Sequence, residues 1–187
     1  MAGAAEDTEV KTSAEGAQAF IDWYYASASD RKPLRSFYVN GSPSYAAASI
    51  TADISVNGLV VKDPAELERL LETQANGSRV KYDIEGFDAH VLNPNFLVAC
   101  PDSQLQQQQQ QQKQQNRGSA RDRAERDAKV SIMAMVNGAV QFGTDKDAPR
   151  RPFTEVFVLV PNWESMGSKA PRNAKRFLVL SQNYRAM

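Results

Sequence analysis

The sequence predicts an α+β fold, a curved and strongly bent antiparallel sheet wrapped as a cone over three helices, and three observations carry that expectation. Residues Arg151 to Trp163, RPFTEVFVLVPNW, read as a strand. Side chains alternate at a period of two, so Phe153, Phe157 and Leu159 fall on one face and Thr154, Val156, Val158 and Val160 on the other. In Arg79 to Leu92 the apolar phase runs through Val80, Tyr82 and Ile84, then resumes at Phe87, Ala89 and Val91. It slips by one at Glu85-Gly86, where a β-bulge absorbs the extra residue and bends the strand. Finally, helix, helix, hairpin and helix precede four strands, with a bend in the first long one, which describes helices enclosed by a curved sheet. Both faces of the central strand are apolar, although a lone antiparallel sheet leaves one face wet and polar. The valine face therefore needs cover, from more of this chain or from a second protein.

Residues 1 to about 11 are small and acidic and are expected to be a disordered lead, with a single domain over 12–187. A first helix starts at Thr12 or Ser13, where Ala17, Phe20, Ile21, Tyr24 and Tyr25 recur at helical spacing. Asp30 can cap a second, short helix carrying Leu34, Phe37 and Tyr38, with Pro33 in its first turn and Asn40-Gly41-Ser42-Pro43 at its end. Residues Ile50 to Lys62 read as a hairpin turning at Asn57-Gly58. Asp63-Pro64 opens a third helix with Leu67, Leu70 and Leu71 facing inward, and Asn76-Gly77 stops it. The bent strand follows. Lys129 to Phe142 sets Ile132, Ala134 and Val136 against Met133 and Met135, and Arg172 to Met187 is the last strand, apolar on both faces at first and polar later.

Pro101 to Ala128 cannot belong to a core. It contains an uninterrupted glutamine run, Gln106 to Gln112, and continues without aromatic or β-branched residues, so it is expected to be a disordered insertion. From Lys113 to Lys129 it carries six basic and three acidic residues. Lys113, Arg117, Arg121, Arg123, Arg126 and Lys129 are thus the candidate contacts to RNA or ribosomal particles, set against the plainer reading of a solvated spacer.

The 187 residues, 42% of them hydrophobic, suffice for one core. Twenty-two basic residues balance 22 acidic ones, so the field of the whole chain does not select nucleic acid or acidic membranes. A single cysteine, Cys100, rules out an internal disulfide and every multi-cysteine zinc pattern. No apolar run reaches membrane-spanning length, the N-terminus lacks the regions of a signal peptide, and the expected compartment is nuclear or cytoplasmic.

Catalytic chemistry has few candidates. The one histidine, His90, and its neighbour Asp88 point away from the core-facing set, whereas a general base must reach a sheltered substrate. Cys100 has no histidine partner in sequence reach and reads as an ordinary thiol. No spacing singles out a pair among Asp53, Asp63, Asp83 and Glu155. Glu155 lies in the inward phase between Phe153 and Phe157, where it must face a wet pocket or find a donor, and the structural reading outweighs the catalytic one. Phosphate-cradling glycine loops are absent. No cofactor or metal is expected.

The segment Phe153-Thr154-Glu155-Val156-Phe157-Val158-Leu159-Val160-Pro161 resembles the strand pattern F-x-Q-x-F-x-L of the nuclear transport factor 2 family. Tyr184-Arg185 resembles the aromatic-arginine pair ending that family's last strand. Phe20 with Tyr24-Tyr25, Asn57-Gly58 and Gly138 also fall where the family has them. The resemblance runs from about Ala14 to Met187, leaving out the glutamine insertion. Within the family, the long insertion, the absence of a further domain and the change to Glu155 resemble the small subunit of the heterodimeric messenger RNA export receptor in its fungal form.

The resemblance implies a non-enzymatic half of a dimer that pairs sheet to sheet with the related domain of a larger subunit. The pair would bind phenylalanine-glycine repeat nucleoporins, carry RNA and pre-ribosomal cargo, and shuttle between nucleus, pore and cytoplasm. It assigns the partner surface to Met133, Met135, Thr154, Val156, Val158, Ser181, Asn183 and Arg185. A homodimeric carrier or interaction module of the same fold is the alternative. The carrier has a glutamate where Asn57 stands, and Lys146 interrupts Asp145 and Asp147 here, diluting the acidic rim. An isomerase or dehydratase on this cone would need a ligand-sized pocket with a base inside.

Overall fold

The computed structural model describes residues 3–102, 104–105, 129–143, 145, 147–166 and 174–186. Ala17, Phe20, Ile21, Tyr24 and Tyr25 form the buried stripe of helix α1 (Gly3–Ser29), each 5% exposed or less. The helix thus begins well before the expected start at Thr12 or Ser13. Residues 3–11, expected as a disordered lead, continue it, since Ala, Glu and Lys favour a helix and no proline interrupts it. Arg31, at φ 54, turns the chain out of α1.

The second helix is displaced from where the sequence pattern puts it. Asp30 does not cap a helix but accepts from Lys32 Nζ at 2.8 Å, and the Leu34 N–H donates to Glu68 at 2.6 Å. Two short 3-10 turns, Arg35–Phe37 and Val39–Gly41, fold Phe37, Tyr38 and Val39 into the core. Helix α2 (Pro43–Ala47) starts where that helix is expected to end, with Ser42 as N-cap and Pro43 in the first turn. Helix α3 (Pro64–Ala75) follows the expectation: Asp63 Oδ1 accepts from the Glu66 N–H at 2.9 Å, and Asn76 closes it in the left-handed region at φ 44.

Six strands make one sheet: β1 (Asp53–Val56), β2 (Leu59–Val61), β3 (Val80–Asn93), β4 (Ser131–Phe142), β5 (Arg150–Pro161) and β6 (Phe177–Ala186). Their order is β2-β1-β6-β5-β4-β3. Every join is antiparallel except β1 to β6, which is parallel, so the sheet is mixed rather than purely antiparallel. The hairpin reaches the last strand across the length of the chain, and a crossover of that length frees the pairing from the antiparallel sense that tight turns impose.

The bend lies where the phase slip puts it. Register shifts between Ile84 and Gly86, leaving Glu85 as the extra residue, and again between Val91 and Asn93. Ile84 pairs with Gly138, at which a Cβ would lie 2.4 Å from the Asp83 carbonyl oxygen. Only glycine lets the two backbones approach so closely. On the outside of the bend, Arg150 Nη2 reaches Asp83 at 3.0 Å and Glu85 at 3.1 Å. Inside the cone, Phe157 meets Phe20 and Tyr24 with ring centroids 5.2 and 5.1 Å apart, and Phe153 stacks on Tyr184 at 5.3 Å.

Candidate functional site

The two faces of β5 lead to two different environments. Phe153, Glu155 and Phe157 are buried against α1 and Leu159 is buried on the same face, while Thr154, Val156 and Val158 are half-buried on the outer face. Val160 departs from the simple alternation. A bulge between the pairs Val158 with Ser181 and Leu159 with Val179 shifts the pattern, and Leu159, Val160 and Pro161 are buried in succession.

Inside the cone, Glu155 finds donors rather than solvent. Its carboxylate accepts from the Tyr25 hydroxyl and from Gln182 Nε2, which also reaches the Tyr24 hydroxyl at 2.9 Å. Tyr38 donates to Gln182 Oε1 and lies 3.0 Å from the Tyr24 hydroxyl. The protons allocate consistently. Tyr24 donates to Tyr38, Tyr38 to Gln182, and Gln182 gives one amide hydrogen back to Tyr24 and the other to Glu155. Burial pushes the Glu155 carboxyl up to about 7, against hydrogen bonds from Tyr25 and Gln182 that hold it down. The cavity beside this network measures about 10 Å³ and is lined by Tyr24, Tyr25, Leu71, Tyr82, Glu155, Gln182 and Tyr184, among others. That is room for one water at most.

Outside, the register assembles all eight residues expected at a partner surface on one face. His90, Met133, Val158, Ser181 and Asp53 form one cross-strand row. Asp88, Met135, Val156, Asn183, Ser55 and Val60 form the next. Asn137, Thr154 and Arg185 form a third, in which the Thr154 hydroxyl donates to Asn137 Oδ1 at 2.9 Å. The centre is thus methionine and valine with polar side chains around it, the composition of a docking surface with a polar rim.

Asp53, Ser55, Val60, Asp88, His90 and Asn137 share this face and were not among the expected partner residues. Asp88, His90 and Asn137 follow from the alternation along β3 and β4. Asp53, Ser55 and Val60 join only through the parallel β1–β6 pairing, which leaves no local mark in the sequence. Asn57 is engaged in the fold: its Oδ1 accepts from the Ala186 N–H at 2.9 Å and its N–H donates to the Tyr184 carbonyl at 2.8 Å. Cys100 is half-buried, and desolvation raises its thiol pKa. Of the six basic residues in the insertion, Lys113, Arg117, Arg121, Arg123 and Arg126 lie outside the described residues, as does the whole span 106–128. Lys129 is described, and its carbonyl accepts from the Phe96 N–H at 2.8 Å. Among the described residues no group of three or more His, Cys, Asp and Glu could hold a metal ion, and no helix is long and apolar enough to cross a membrane.

No family model matches the sequence, and no curated protein does. Solved structures do. A chain of the structure of the Chaetomium thermophilum Mex67 NTF2-like domain complexed with Mtr2 matches with 32% identity and a TM-score of 0.77, over 94% of this chain and 99% of that one. The Mex67:Mtr2 complex with a bound Sac3N peptide matches at 30% identity and a TM-score of 0.79, with the same coverage. A structure of Mtr2 matches at 28% and 0.75, again over 94% and 99%. A bent, mixed six-stranded sheet with three helices is the NTF2-like architecture. The chain belongs to the NTF2-like family, in the group of Mtr2, the small subunit of the Mex67:Mtr2 export receptor.

Proposed function

We propose that the chain is the small, non-enzymatic subunit of a heterodimeric messenger RNA export receptor, pairing its outer sheet face with the NTF2-like domain of a larger subunit. The observation that carries the reading is the apolar outer face of a chain whose relatives are solved as Mex67:Mtr2 complexes. Met133, Met135, Val156 and Val158 supply the buried centre of the interface. Thr154, Ser181, Asn183 and Arg185 supply its rim, where Arg185 meets a partner carboxylate and fixes register more than it adds affinity. The assembled pair binds phenylalanine-glycine nucleoporins, carries RNA cargo and shuttles through the nuclear pore. The domain takes in the whole of α1 and so begins ahead of residue 12, with 101–128 as an insertion in it.

The interior supports a role without catalysis. A small-molecule isomerase or dehydratase would need space for its substrate beside a free base, whereas Glu155 faces about 10 Å³ with both carboxylate oxygens accepting hydrogen bonds, and at the larger cavity of about 100 Å³ Glu68 accepts from the Leu34 N–H and Glu72 pairs with Arg31.

The test is the mass of the purified chain in solution, alone and co-expressed with the NTF2-like domain of a larger receptor subunit. A one-to-one complex is expected, and Val156→Glu or Arg185→Glu abolishes it. A stable homodimer that ignores that domain, or either variant retaining its full complement of partner, overturns the reading.

A further inference from the structure

The two most exposed large apolar side chains among the described residues are neighbours on the edge strand β2, Val60 at 82% and Leu59 at 66%. Val60 pairs with Ser55 and so ends the cross-strand row that holds Met135, Val156 and Asn183. The apolar surface is interrupted by Asn183 and Ser55 and then resumes at the sheet edge. Backbone pairing cannot explain this, because β2 offers only three residues of edge.

The hairpin is also held in place. Asn57, at φ 51, and Gly58, at φ 84, make the tight turn, and both hydrogen bonds of Asn57 tie it to the end of β6 beside Arg185. A loop fixed in this way loses little freedom when it docks.

We propose that the β1–β2 hairpin is an arm of the partner interface, covered through Val60 by a second sheet that lies across the whole outer face. This rests on the heterodimer reading. The width of the surface selects the occupant. From β4 to β2 there are four strand spacings of about 4.8 Å, roughly 19 Å in all. A docked helix is about 10–12 Å across: laid along the strands it would leave either the methionines or Val60 uncovered, and laid across them it would miss one of the three rows, which span roughly 14 Å. A sheet packed face to face spans both. The partner therefore presents an apolar strip wide enough to reach the hairpin, and covering Val60, which faces outward while Leu59 shares the face of Val56, removes an exposed apolar side chain at the sheet edge that would otherwise invite aggregation.

The test titrates full-length Val60→Asp and Val60→Ser against the NTF2-like domain of the larger subunit, with Val156→Glu and Trp23→Ser run beside them. Trp23 is 49% exposed on α1, on the other side of the sheet. The hairpin variants are expected to bind at least tenfold more weakly while melting at the parent temperature, and Trp23→Ser to bind as the parent does. If Val156→Glu abolishes binding and both Val60 variants bind like the parent, the hairpin is not part of the interface and the heterodimer reading stands. If Val156→Glu also binds like the parent, the outer face is not the interface, and both readings fall together.

Discussion

Glu155 shows how much a single residue can set. It stands where the family's strand pattern has glutamine, and it puts an ionisable group among Tyr24, Tyr25, Tyr38, Tyr82, Gln182 and Tyr184, with no cation among its hydrogen-bond partners. Burial raises its pKa from 4.5 to about 7, so the folded state binds this proton more tightly than the unfolded state. The resulting contribution to stability is fully present below pH 4.5 and is lost as pH rises through about 7, for a total of about 3 kcal/mol. Glu155→Gln removes the ionisation. The network can accommodate the amide by reversing its direction, with Gln182 flipped so that its oxygen accepts from residue 155 and Tyr38 donates to Tyr24. Denaturant unfolding at pH 5 and pH 8 should therefore show the variant gaining on the parent at the higher pH, by an amount on the order of 3 kcal/mol. Equal pH dependence in the two proteins would place the charge elsewhere.

At the scale of elements, the bend between β3 and β4 depends on two glycines with different roles. Gly138 faces the Asp83 carbonyl oxygen at 2.4 Å from the position of an added Cβ, and backbone cannot yield as a side-chain end can. Gly86 has nothing within 4 Å. Gly138→Ala is expected to cost on the order of 1–3 kcal/mol in thermal or denaturant unfolding, and Gly86→Ala well under about 1 kcal/mol. Matching losses would mean that the close approach at Gly138 does not shape the bend. The contrast also marks what a sequence carries. The phase slip at Glu85-Gly86 is written in alternating side chains, so the bulge is legible, as are the cap at Asp63, the turn at Asn57-Gly58 and the outward Met133, Met135, Val156 and Val158. What is not legible depends on distant partners. Asp30 has the residue type of a cap, but Lys32 holds it and Glu68 takes the Leu34 N–H, so the helix forms at Ser42-Pro43 instead. The parallel β1–β6 join unites residues about 130 positions apart in sequence, and through it Asp53, Ser55 and Val60 enter the outer face unannounced.

Across the whole molecule, charge balances in total but gathers locally. The chain has 22 basic and 22 acidic residues, yet Lys113 to Lys129 holds six basic and three acidic, a local excess of three positive charges. The remainder is accordingly three charges negative. If the assembled pair takes up RNA, the insertion is one clustered source of cations that this chain offers, beside Lys169, Arg172, Lys175 and Arg176, and phosphate binding draws on such clusters through counterion release. Substituting Arg117, Arg121, Arg123 and Arg126 by glutamine keeps the length of the segment and changes none of the residues in the three outer-face rows. For a single strand, every phosphate that a cation no longer neutralises lowers the slope of log affinity against log salt by about 0.7. If the four arginines together neutralise roughly two or three phosphates, their substitution should weaken RNA binding by the purified complex and flatten that slope by roughly 1.5 to 2, while the one-to-one mass of the complex stays as it was. An unchanged slope would make the insertion a spacer and leave the RNA contact to other cations of the complex.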